Sequence, residues 1–254
     1  MTHATKFAGA IVYQGPSQLD GRPIVAIVTA GSDNEKTGDM DQLYILPDTG
    51  QTPAQSWASG DYASVCGNCT HRVNDTCYVV RVQGSRAVYA KYQRGGYPAL
   101  DPASLPKTRA IRLGADGDPA AVPPAILHAL VSGRRHTGYT HQWQTHPDLR
   151  DLCMASCDTL DEASAASAQG WRVFLTRDTV TQVPGAILCP ASIEAGKRTT
   201  CAQCTLCNGA RPNDRRANIY IPLHGAKAIT FLRRFSISSE FRSPKLSKTD
   251  SFRP

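Results

Sequence analysis

"RAIRLGADGDPAAVPPAILHALVSGRRHTGYTH", residues 109 to 141, carries the pattern from which the fold class is read. Arg109 to Ala115 is a short apolar run of the kind a strand makes. A loop of Gly, Asp and Pro follows. In "PPAILHALVSG" a proline pair opens a helix and Gly133 ends it. "TGYTH" from Thr137 is strand-like again. Strand, helix and strand in succession form the unit of a parallel sheet, because parallel neighbours need a crossover long enough to hold a helix.

The same alternation extends in both directions. "PIVAIVTA" from Pro23, "QLYIL" from Gln42 and "CYVVRV" from Cys77 precede it as strand candidates. "LCMAS" from Leu152, "GWRVFLT" from Gly170, "AILCPAS" from Ala186 and "NIYIPLHG" from Asn218 follow, with a second helical stretch in "TLDEASAASAQG". The expected fold is α/β, a complete or partial (β/α) barrel of the TIM-barrel kind with cysteine-rich metal-binding loops. A chain of 254 residues fits one to two domains. Residues 1–235 read as a single barrel-like domain and residues 236–254 as a basic, serine-rich flexible tail.

Polar residues recur where strand candidates end: Asp116 and Asp118 after "IRLGA", His141 after "GYT", Ser156 and Asp158 after "CMA", Cys189 after "AIL", His224 after "IYIPL". In a (β/α) barrel such positions gather at one rim, where active sites lie. Asp116, Asp118, His141, Ser156 and His224 are therefore the catalytic candidates. Arg112, Gly114 and Gly117 are the cofactor-binding candidates, since glycines let a ligand approach the backbone. The bland alternative for this loop is a bare turn with a helix-capping aspartate.

The chain has nine cysteines, an odd number in close-set groups. The N-terminus lacks the apolar stretch of a secretion signal, and the longest aliphatic run, "IVAIV", is too short to span a bilayer. The expectation is a cytoplasmic protein with reduced thiols, without membrane insertion, in which such groups bind metal rather than pair as disulfides. "CPASIEAGKRTTCAQCTLC", residues 189 to 207, sets Cys201, Cys204 and Cys207 in a C-x2-C-x2-C run behind Cys189. Ligands spaced by three on an irregular loop suit a [4Fe-4S] cluster, and a four-cysteine zinc site is the alternative. In "CGNCTHRVNDTC" the thiols of Cys66, Cys69 and Cys77 would leave one corner of a cluster open, or with His71 close a zinc site. Cys153 and Cys157 read as buried, inert thiols.

The formal charge is +7, and from Lys227 onward seven basic side chains face two acidic ones. That excess reads as a solvated tail or as an arm that contacts nucleic-acid phosphates.

Taken together, "CGNCTHR...CYV", "IRLGADGDPAAVP", "GYTHQW", "CMASCD", "GWRVFL" and "CPASIEAGKRTTCAQCTLC" resemble an uncharacterised family of cysteine-rich bacteriophage and mobile-element proteins. The resemblance runs from about Val12 to Gly225. More distantly the chain is similar to phage radical-SAM-like partial-barrel proteins, whose cysteine loop ends in Cys-Tyr, as Cys77-Tyr78 does here. It departs from them in spacing, C-x2-C-x7-C rather than C-x3-C-x2-C, and lacks a Gly-Gly-Glu stretch for the methionine part of SAM. The resemblance implies an iron-sulfur enzyme with a rim active site, SAM as a candidate cofactor, and a nucleotide or nucleic acid as substrate. A non-catalytic, zinc-stapled module that binds nucleic acid or protein is the alternative from a different class.

Overall fold

β2 (Pro23–Thr29) is the most apolar strand, and every residue from Ile24 to Val28 is fully buried. A strand covered on both faces reads as a continuous apolar run rather than an alternation. Each buried valine or isoleucine of the run contributes roughly 1.5–3 kcal/mol. β1 (Gly9–Pro16), a strand with no counterpart among the sequence candidates, and β3 (Asp41–Pro47) flank it antiparallel. β3 then pairs in parallel with β4 (Ile111–Asp116), and all later pairings are parallel.

The computed structural model describes residues 7–178 and 180–223. His224 and the tail expected from residue 236 lie outside the described residues. Beyond β4 come β5 (His136–Thr140), β6 (Met154–Cys157), β7 (Val173–Arg177), β8 (Ala186–Leu188) and β9 (Asn218–Pro222). They form one nine-stranded sheet in the order β1-β2-β3-β4-β5-β6-β7-β9-β8. The α/β class is as expected, but the sheet is not closed into a barrel. Its edges are β1 and β8, and β1 runs antiparallel to its neighbour, so the two edges do not meet as a parallel ring would require.

Helices occupy several of the crossovers. α1 (Pro53–Ala58), α2 (Ala63–Cys66), α3 (Thr70–Val73) and α4 (Arg86–Gln93) lie between β3 and β4. α5 (Pro124–Val131) follows β4 and starts at the predicted proline pair. α6 (Leu160–Ala168) follows β6, opened by a capping box in which Thr159 and Glu162 each satisfy the other's backbone N–H. α7 (Cys201–Cys204) precedes β9. Among the described residues, no helix is long and apolar enough to cross a membrane.

"CYVVRV" is not a strand. Residues 76–80 are irregular and Arg81–Ser85 form a π-type turn into α4. Tyr78, Val80 and Val82 are exposed while Arg81 is buried, the reverse of what the apolar run predicts. A charged partner for Arg81, described below, decides this.

Alternation along β5, β6, β7 and β9 divides the side chains between two apolar clusters. Leu113, Cys153, Ala155, Cys157, Val173 and Leu175 join the larger one, with Leu127 and Leu130 of α5 and Ala166 of α6. Met154, Ile219 and Ile221, with Tyr139 and Phe174, face the other way and pack with Cys189 and Cys207. One face of the parallel sheet is therefore covered by helices and the other by thiols.

Candidate functional site

Because β4, β5 and β6 are parallel, their C-terminal ends share one edge. Asp116 ends β4, His141 follows the end of β5 and Asp158 follows the end of β6. The loop of α2 and α3 covers this edge. It is anchored by Asp118 N–H donating to Val65 O (2.6 Å) and by Gln142 Nε2 donating to Cys66 O (3.0 Å). Gly67 has φ 53°, and a Cβ there would lie 2.7 Å from Gln142 Oε1. The turn between Cys66 and Cys69 thus requires glycine.

Asp116 is the electrostatic centre of this region. Its Oδ2 accepts from the hydroxyls of Tyr62 (2.8 Å) and Ser85 (2.7 Å), and its Oδ1 lies 3.7 Å from Arg81 Nη2. The Arg81 guanidinium lies over the rings of Trp57 (3.5 Å) and Tyr62 (4.5 Å) and donates to Cys77 Sγ (3.3 Å). Burial, with Asp116 alongside, pushes the Tyr62 hydroxyl far above its ordinary value. Burial also raises the Cys66 thiol, reinforced by the charges of Asp116, Cys69 and Cys77. Cys69 is raised by burial and partly relieved by His71, Cys77 by burial and partly relieved by Arg81. Three neutral thiols therefore adjoin one another, and a cation among them would relieve the cost of ionising them.

Asp118 is likewise committed to the fold. It caps the short 3-10 turn Pro119–Ala121 through Ala120 N–H (3.0 Å) and accepts from Thr140 Oγ1 (2.8 Å) and His141 N–H (2.8 Å). Burial raises its pKa against these hydrogen bonds. His71, from α3, reaches the same edge. Its Nε2 lies 3.1 Å from Asp158 Oδ1, its Nδ1 lies 3.0 Å from Thr76 Oγ1, and its ring meets that of His141 edge to face at 5.4 Å.

The second thiol group belongs to the smaller apolar cluster, whereas Cys66 packs against the larger one. Thr200 and Gln203 form a capping box that starts α7, and Thr205, left-handed at φ 46°, turns the chain so that Cys207 comes back to the sheet. Cys201 and Ala202 N–H donate to Lys36 O and Thr37 O (both 2.9 Å), Gly138 N–H to Cys207 O (2.8 Å) and Cys189 N–H to Tyr220 O (2.9 Å). Cys189, Cys201, Cys204 and Cys207 line one cavity with Tyr139, Phe174 and Ile219. Its volume of ≈ 30 Å³ exceeds the ~10–15 Å³ that one water needs. Burial pushes the Cys207 thiol up to about 12; Tyr139 offsets part of this, and the other three thiols add to it.

Arg112 lies between the two groups. Its Nη2 donates to Tyr78 OH (3.2 Å), Tyr139 and Cys201 are its electrostatic neighbours, and its buried Nε has no hydrogen-bond partner among the described residues. Gly114 and Gly117, the other cofactor-binding candidates, both have positive φ. A Cβ on them would lie 2.7 Å from Gly117 O and 2.4 Å from Ile45 O, so protein atoms already occupy the space beside them. Ser156 is buried in β6 opposite Phe174.

The structure thus brings Asp116, Asp118 and His141 to Cys66, Cys69 and Cys77, and gathers the four thiols of the second group. The catalytic candidates include Ser156 rather than Asp158, although both follow "CMA", and neither Arg81 nor Tyr62 stands out in the sequence. The signal for Arg81 was a lone charge inside the apolar run "VVRV". Among the described residues, the donor atoms of His71, His141 and Asp158 all lie within 4.8 Å of one another, and no three cysteine sulfurs do. Compared with family models, curated proteins and solved structures, the chain gives no match.

Proposed function

We propose that this protein is an iron-sulfur enzyme whose reaction takes place at the C-terminal edge of β4, β5 and β6. One observation carries the reading: the Arg112 guanidinium reaches both thiol loops, donating to the hydroxyl of Tyr78, next to Cys77, and lying within electrostatic reach of Cys201. A binding module stapled at separate points has no need of that convergence.

Neither thiol group has the spacing of a single-ion site among the described residues. Sulfurs held by one tetrahedral zinc at ~2.3 Å lie ~3.8 Å apart, closer than any three of the thiols here. Cys189, Cys201, Cys204 and Cys207 would hold a [4Fe-4S] cluster with every iron ligated by protein, while Cys66, Cys69 and Cys77 would hold one with an open iron. Such a cluster supplies electrons and a coordination position for a substrate or for SAM. The chain's own part is to exclude water from the second group with Tyr139 and Phe174, and to hold the first loop through the Arg81–Asp116 pair. Arg112, a half-buried cation with an uncommitted Nε–H, suits an anionic group, which favours a nucleotide or a nucleic-acid phosphate as the substrate class.

The second reading, a zinc-stapled binding module, draws on a different observation: Asp116 and Asp118 accept hydrogen bonds from the fold itself. Iron, sulfide and zinc content after anaerobic purification, with a visible spectrum, separates the two. Two clusters correspond to about eight iron and eight sulfide per chain. Stoichiometric zinc without broad visible absorption would replace the enzyme by the staple.

A further inference from the structure

We infer that His71, His141 and Asp158 form a binding site for one divalent transition-metal ion, separate from the thiol groups. One nitrogen from each histidine and one carboxylate oxygen lie within 4.8 Å of one another. The three come from three elements. His71 is on α3, and His141 and Asp158 follow the adjacent parallel strands β5 and β6, whose ends share one edge.

The distances suit ligation. Two donors each ~2.1 Å from an ion and at right angles are ~3.0 Å apart, and His71 Nε2 lies 3.1 Å from Asp158 Oδ1. Thr76 Oγ1, 3.0 Å from His71 Nδ1, can accept an N–H there, which leaves the Nε2 lone pair facing the carboxylate. In that tautomer no proton lies between Nε2 and Oδ1, and a cation can join them; in the other, a bound ion would displace the Nε2 proton that Asp158 accepts. An outer partner on the far nitrogen is the usual support of a metal-bound imidazole. Thr176 on β7 hydrogen-bonds the Asp158 carboxylate as well.

His141 supplies the independent observation. Its Nε2 is buried and has no hydrogen-bond partner among the described residues. A buried imidazole nitrogen without a partner costs about 1–3 kcal/mol and calls for an explanation. Next to a second imidazole and a carboxylate, ligation provides one. Two imidazoles and one carboxylate on one side of an ion leave the other side open, a donor set suited to Fe(II), Mn(II), Co(II) or Zn(II) rather than Mg²⁺ or Ca²⁺. The ion would also tie the Cys66–Cys77 loop to the sheet edge and give His141 a ligating role. The assignment does not depend on clusters in the thiol groups, because its donors are nitrogen and oxygen.

The test is titration of the full chain, purified anaerobically, with Co²⁺. One equivalent is expected to bind with weak visible bands and no thiolate charge-transfer absorption in the near ultraviolet. His141→Ala and Asp158→Asn should weaken that uptake at least about tenfold and leave iron and sulfide content as in the wild type. Uptake that shows only thiolate bands, or that is equally tight in both variants, overturns the site, whatever the thiols hold. Should a variant lose its circular dichroism, the wild-type Co²⁺ complex decides alone. Two paramagnetically shifted imidazole N–H signals are expected, and fewer than two overturn the proposal.

Discussion

The two thiol groups are built from the same residue type and have opposite surroundings. Cys66, Cys69 and Cys77 adjoin Asp116, Arg81 and His71, three ionisable groups at the open edge of the sheet. Cys189 and Cys207 pack with Met154, Ile219, Ile221, Tyr139 and Phe174, and Tyr139 is the hydroxyl that hydrogen-bonds Cys207. Burial raises Cys66, Cys69 and Cys77 in the first group, and Cys201 and Cys207 in the second, where Arg112 and Lys36 partly relieve Cys201 and the Tyr139 hydroxyl partly relieves Cys207. An apolar wall suits a centre that stores or relays electrons out of reach of water. A charged edge suits one that meets a substrate.

That contrast breaks most sharply if the two groups are not independent. Cys69→Ser and Cys207→Ser are each expected to remove the iron of their own group and spare the other, so that each halves the metal measured per chain. Complete loss from either single variant would mean one shared site.

Next in size is Asp116→Ala. It leaves the buried Arg81 guanidinium without its carboxylate, and breaking a buried pair from one side costs about 3–5 kcal/mol. Thermal unfolding should show a large drop in midpoint. A shift equivalent to less than about 1 kcal/mol, the size of a surface pair, would remove Asp116 from the centre of the first group.

The smallest effect sharpens the second group. Tyr139→Phe removes a single hydroxyl from the thiol wall and keeps the ring that packs on Phe174 at 4.6 Å. Stability should fall by about 1 kcal/mol, with metal content unchanged. Loss of the second group's metal in this variant would show that the hydroxyl holds Cys207 in place rather than trimming the wall.

Much of this arrangement was legible in the sequence. The strand candidates at Pro23, Gln42, Arg109, Thr137, Leu152, Gly170, Ala186 and Asn218 each overlap a strand, and the proline pair and Gly133 bracket α5, because side-chain period and backbone punctuation are local properties. Cys201, Cys204 and Cys207 line one cavity because a capping box and a left-handed Thr205 turn so short a loop, although among the described residues no three cysteine sulfurs lie within 4.8 Å of one another. Parallel strands then bring Asp116, Asp118 and His141 to one edge without further information.

What the tertiary structure alone decided depends on contacts between residues far apart in the chain. Whether the sheet closes is a property of its two edge strands, and β1, antiparallel and without a counterpart among the strand candidates, leaves it open. "CYVVRV" has a strand's composition, but Arg81 is drawn inward by Asp116, thirty-five positions away, and its apolar neighbours are turned out to solvent. The roles of Asp116 and Asp118 as holders of the loop, and the meeting of His71 with His141 and Asp158, follow from how α2 and α3 fold over the strand ends. Local composition determines which segments become strands and which loops hold thiols. The partners that buried charges find across the fold determine which of those residues face one another.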